Sequence, residues 1–106
     1  MIARVWHGVV ASENADDYAK YLAGFGVQDY QAVPGNHGVQ LLRRSEGLYV
    51  HFLLLSLWSS REAIEAYAGP DIEQAHYYPY DLECLVDPEP RVAHYEVVAS
   101  VGPSRS

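Results

Sequence analysis

Leu48-Tyr49-Val50-His51-Phe52-Leu53-Leu54-Leu55-Ser56-Leu57-Trp58 is the stretch on which the fold turns. Read with a period of two, it is a strand with Tyr49, His51, Leu53, Leu55 and Leu57 on one face. Val50, Phe52, Leu54, Ser56 and Trp58 share the other. Both faces are apolar, so both need cover. Upstream, Ser45-Glu46-Gly47 reads as a three-residue hairpin loop, with Gly where a left-handed residue is needed, leading back to a strand over residues 38–44. Val33-Pro34-Gly35-Asn36 is a type II turn before it. Residues 2–10 form the opening strand, whose Ala3, Val5, His7 and Val9 are expected to face the helices; Ile2, Arg4, Trp6 and Gly8 face away. Ser12 caps a helix whose stripe is Ala15, Tyr18, Leu22 and Phe25, and Gly24 and Gly26 end it.

Downstream, Ser59 and Glu62 form a capping box for a short helix carrying Ile64, Tyr67 and Ala68 on one face. Pro70 opens another, with Ile72, Ala75 and His76 on one stripe, which stops before Pro79. Residues 81–90 read as a connector and 91–101 as the last strand. The order is an α+β, ferredoxin-like βαββαβ arrangement: an antiparallel sheet with helices on one face. Residues 1–101 make one domain and 102–106 a disordered tail. Phe52, Leu54, Trp58 and Trp6 then lead an apolar face that the chain cannot cover itself. A second copy of the sheet would cover it, so a homodimer is expected.

Composition narrows the function. The 106 residues carry fourteen acids against seven Lys and Arg, a formal charge of −7. Nucleic acid and anionic membrane surfaces both need a clustered basic face, so neither is expected as a partner. One cysteine, Cys84, excludes an internal disulfide and fits a cytoplasmic location. No two histidines stand at the i, i+4 spacing of a helical metal site, so no metal is expected. No Gly-x-Gly-x-x-Gly or Walker sequence provides for a nucleotide. Nine Tyr and two Trp are the unusual feature of so short a chain.

The sequence resembles the dimeric α+β barrel superfamily, in particular its antibiotic-biosynthesis-monooxygenase (ABM) type. The resemblance lies in Met1-Ile2-Ala3-Arg4-Val5-Trp6-His7-Gly8, in Tyr30 with Pro34-Gly35-Asn36, and in Leu41-Leu42-Arg43-Arg44. It continues through Leu55-Ser56-Leu57-Trp58, Asp71-Ile72-Glu73-Gln74-Ala75-His76-Tyr77-Tyr78-Pro79 and His94-Tyr95-Glu96-Val97. It implies a ligand held between sheet and helices, and a small monooxygenase oxidising an electron-rich aromatic, quinol or polyketide-like, with O₂ and no cofactor. Two alternatives come with it: a non-catalytic ligand-binding or stress-associated dimer, and a haem-binding or haem-degrading enzyme. Haem degraders of this group use an Asn, a Trp and an axial His. By spacing these positions fall at or next to His7, at Tyr67, and at His76 or Tyr77.

The candidate site residues follow. His76 and His7 each share a stripe with core residues and stand as pocket bases or as core histidines satisfied by a neighbour. Tyr67 is the third catalytic candidate. Tyr77, Tyr78, Tyr18, Phe25 and Leu53 are expected to line the substrate, as pocket wall or as packing. A small aromatic ligand and a second copy of the chain are the expected partners.

Overall fold

The computed structural model describes residues 1–102, so the expected tail lies, apart from Gly102, outside the described residues. Strand β1 spans Ile2–Ala11, β2 Asn36–Glu46, β3 Tyr49–Trp58 and β4 Ala93–Glu96. They form one antiparallel sheet in the order β2-β3-β1-β4, the ferredoxin-like arrangement. In the central pair, Trp6 stands opposite Leu54 and His7 opposite Leu53.

The helical elements depart from the sequence reading in instructive ways. A 3₁₀ turn at Ser12–Asn14 leads into α1 (Ala15–Tyr21), a π-helical turn at Leu22–Gly26, and α2 (Val27–Gln31). Gly24 and Gly26 therefore do not end the helix, because the π-helical turn carries it through them. Beyond it the turn forms as read: Asn36 N donates to the Val33 carbonyl at 3.1 Å, and Gly35 takes a φ of 89°. A side chain at Gly35 would also meet Ala63 Cβ at 2.6 Å. Helix α3 (Arg61–Ala68) is capped by Ser60 rather than Ser59, its hydroxyl accepting from Ala63 N at 3.2 Å. The hairpin loop is the two residues Gly47 and Leu48, since β2 continues through Glu46.

The helix expected from Pro70 does not form. Its backbone bonds outward instead: Ala75 N to the Pro90 carbonyl at 2.9 Å, and Val92 N to the Glu73 carbonyl at 2.7 Å. Pairing with a distant segment outweighs a weak local preference. The helix starts at Pro79 and forms α4 (Pro79–Cys84), where a connector had been expected. Pro79 sits at its first position and the Asp81 side chain accepts from Tyr78 N at 2.9 Å. Strand β4 is correspondingly shorter than residues 91–101.

The largest correction concerns which face of the sheet the helices cover. Trp6, Val10, Val50, Phe52, Leu54 and Trp58 are buried in one core with Ala15, Tyr18, Leu22, Tyr30, Ile64 and Ala68 of the helices. The face assigned to a partner copy is thus the internal core. Ala3, Val5, His7 and Val9, with His51, Leu53, Leu55 and Leu57, lie half-buried on the side without helices. Arg4 and Gly8 disguised the true core face of β1. Gly8 is needed because the Trp6 indole lies over it, and Leu85 Cδ2 would stand 2.8 Å from any Cβ there. Arg4 is buried with its guanidinium against the Ile72 carbonyl and His94. No helix among the described residues is long and apolar enough to cross a membrane.

Candidate functional site

Between the helices and the covered face of the sheet lies a cavity of about 760 Å³. Tyr18, Phe25, Tyr67, His76, Tyr77 and Tyr78 of the expected residues line it. His7 and Leu53 do not, because the two are paired on the opposite face of the sheet. There His7 joins a chain of side-chain hydrogen bonds. Its Nδ1 contacts Glu89, its Nε2 lies 2.9 Å from His51 Nδ1, and His51 Nε2 lies 3.0 Å from Glu46. Arg44 first, then His51, hold the Glu46 carboxyl below the usual range.

One wall of the cavity is aromatic. Tyr30 and Tyr67 line it and pack against the buried Trp58, the three ring centroids lying 4.7 to 5.8 Å apart. Trp6 Nε1 donates to the Tyr77 hydroxyl at 3.1 Å, and Tyr77 donates on to the Glu89 carbonyl. Burial pushes the Tyr77 and Tyr67 phenols up, so both remain hydroxyl donors at neutral pH.

A second wall is built around Asp81, which is buried. Tyr18 donates to its Oδ1 at 2.8 Å, while Tyr21 at 3.4 Å and Tyr78 N at 2.9 Å reach its Oδ2. Burial, then the bond to Asp81, raises the Tyr18 phenol far above its ordinary value. Tyr18 and Tyr21 come from α1, and Asp81 from the third position of α4, so one carboxylate ties the two helices across the cavity mouth.

His76 lies on the extended segment before α4. Its Nε2 donates to the Ala68 carbonyl at 3.2 Å, which leaves Nδ1 as the nitrogen able to accept a proton. Arg4, third residue of β1, also lines the cavity and is 5 % exposed. Its Nη1 donates to the Ile72 carbonyl and to His94 Nε2 at 2.9 Å.

Arg4, Asp81, Tyr21, Tyr30, Trp6 and Asp29 also line the cavity but were not among the expected residues. Two of them had a legible signal. Arg4 shares the alternation of Trp6, so a cation on the face of a large aromatic marks a buried charge. Asp81 stands three residues beyond Tyr78 with Pro79 between them, a helix-start spacing.

No protein-family model and no curated protein sequence matches the chain. Solved structures do. The haem degrader MhuD of Mycobacterium tuberculosis, with two haems bound in its active site, is 25 % identical, with 96 % of this chain and 100 % of that one covered at a TM-score of 0.66. A candidate antibiotic biosynthesis monooxygenase from Bacillus cereus superposes at 0.70 with 13 % identity over 99 % and 98 % of the two chains. Another from Nitrosomonas europaea gives 0.66 at 15 % identity over 93 % and 100 %. The last two, at such identities, speak for the fold alone.

Proposed function

The chain has the fold of the ABM type within the dimeric α+β barrel superfamily, and from that premise we propose that it is a small monooxygenase holding an electron-rich aromatic substrate in the cavity between sheet and helices. The observation that carries this reading is the cavity itself: about 760 Å³, walled by Trp6, Tyr30, Tyr67 and Tyr77, with His76 at its edge. Aromatic walls with a few convergent polar groups suit a flat ring with hydroxyl substituents.

His76 Nδ1 takes a phenolic proton. The resulting ring anion supplies electrons to O₂; one oxygen atom bonds to a ring carbon and the other leaves as water, turning a phenol into a quinone. Tyr67, kept protonated, donates to the developing oxyanion, while Tyr77, whose hydroxyl proton goes to the Glu89 carbonyl, orients the ring by packing. His7 has no part in this, since it faces away from the cavity. No cofactor is part of the proposal.

The likeness to MhuD favours haem as a second occupant. The positions are there but the residue types differ. Trp6, next to His7, lines the cavity with Tyr67, His76 and Tyr77, while His7 itself lies on the other face, so Trp and Tyr stand where haem degraders carry Asn and Trp. No step is therefore routed through haem. Oxygen-electrode measurement with a panel of quinols and polycyclic phenols tests the oxygenase, with hemin titration as a separate arm. Uptake of one O₂ per substrate consumed supports it. No uptake with any phenol, together with tight binding of the same compounds, would leave a ligand-binding protein; a Soret shift with hemin would favour the haem reading.

We also propose that the chain pairs with a second copy through the uncovered face of the sheet. Leu53, Leu55, Leu57 and Val5 are only half-buried there, and Leu42 is 43 % exposed. Contiguous apolar area of this kind is uncommon on a monomer.

A further inference from the structure

We propose that Arg4 is an oxyanion receptor, so that the substrate of this cavity carries its negative charge, as a ring carboxylate or a phenolate, at the Arg4 end. This inference rests on the reading of the cavity as an aromatic site and adds the class and orientation of its occupant.

Burying a guanidinium strips its water, and the cost is offset only by a counter-charge and hydrogen bonds. Arg4 is 5 % exposed, yet its two hydrogen-bond partners are uncharged. One is the Ile72 carbonyl. The other is His94 Nε2, which must accept, so the ring is neutral; burial and then the Arg4 charge hold it below the usual histidine range. Among the described residues Arg4 Nε has no hydrogen-bond partner. The acids nearby are committed or distant. Asp81 accepts from Tyr18, Tyr21 and Tyr78, Glu73 pairs with Arg91 at 3.2 Å, and Asp29, though it borders the cavity, forms no ion pair with Arg4 among the described residues. A planar oxyanion is the group that a guanidinium fork with a free Nε is shaped to receive. Asp81 bonds Tyr18, which packs on Phe52, four residues along β3 from Ser56 opposite Arg4. Its carboxylate repels the same charge, so the ligand enters with its anionic end toward Arg4 and its neutral end toward Asp81.

The test uses three naphthalene probes, 2-naphthoate, 2-naphthamide and 2-naphthol, titrated into the full chain and into Arg4→Met and Arg4→Lys. Wild type is expected to bind 2-naphthoate about 10- to 100-fold more tightly than 2-naphthamide. Arg4→Met loses that preference and Arg4→Lys keeps part of it. This outcome identifies the carboxylate. Alternatively, 2-naphthol bound with the absorbance of its anion in wild type, and of the neutral phenol in Arg4→Met, identifies the phenolate. If Arg4→Met does not fold, the wild-type ratio and the naphthol spectrum decide. Equal affinity for naphthoate and naphthamide, with naphthol bound neutral, overturns the inference alone. Failure of all three probes to bind overturns it together with the site reading beneath it.

Discussion

Tyr18 shows how much a single buried hydroxyl can be asked to do. It packs edge-on to Phe52 with centroids 5.7 Å apart and bonds Asp81 at 2.8 Å, joining core and cavity wall. Tyr18→Phe keeps the packing and removes one bond to a carboxylate, which should cost about 1–3 kcal/mol by denaturant titration at neutral pH. The pH dependence has a definite sign. The folded phenol is raised by burial and by Asp81, so the folded state keeps its proton where the unfolded chain loses it. That stability is complete below about pH 10 and falls by about 1.4 kcal/mol for each further pH unit. The gap between wild type and Tyr18→Phe should therefore narrow between pH 10 and 11. A constant gap would mean that Tyr18 is not bonded as described. At Tyr67 the stake is chemical: Tyr67→Phe deletes one neutral donor and should slow phenol oxidation by about tenfold with little change in fold. Turnover equal to wild type would remove Tyr67 from the oxyanion site.

Strand β3 divides the element scale between stability and assembly. Phe52 is fully buried beneath α1 and Leu55 is half-buried on the uncovered face. Phe52→Asp loses packing on the order of 3–5 kcal/mol and buries a charge besides, against a total stability of about 5–15 kcal/mol, so it should leave the chain unfolded by circular dichroism. Leu55→Asp should instead stay folded and sediment as a monomer where wild type sediments as a dimer. Leu55→Asp sedimenting like wild type would place the interface elsewhere. On β1, Gly8→Ala forces a methyl group against the Trp6 indole and Leu85, and should lower stability by about 1–3 kcal/mol in a thermal melt. The central strands were legible because period-two patterning runs the length of β1 and β3, whereas β2 is mostly exposed and β4 is short. Which face was inner was not: both faces of β3 are apolar, and on β1 the core face carries Gly8 and Arg4, whose reasons for being there are tertiary. The helix at Pro79 was missed because Pro70 offers the same local start signal, and the pairing of residues 73–75 with 90–92 decides between them.

At the scale of the whole molecule, the sheet separates two collections of histidine and carboxylate that the sequence could not tell apart. His76 and Asp81 lie with the tyrosines on the helix side; His7, His51, Glu46 and Glu89 form a chain on the other. Six of the eight expected site residues border the cavity: Tyr18, Phe25 and Tyr67 from helical turns, and His76, Tyr77 and Tyr78 from the extended segment before α4. His7 and Leu53 went astray with the inverted face, and one inversion moves every residue of a strand at once. We place the chemistry on the helix side of the sheet. Oxygen uptake with an electron-rich phenol, compared in wild type, His76→Ala and His7→Ala, tests it most directly. His76→Ala should lower turnover by about 10²-fold with modest loss of binding, the usual size for a general base, while His7→Ala leaves turnover per folded protomer unchanged. Activity that survives in His76→Ala and disappears in His7→Ala would place the chemistry on the opposite face of the sheet.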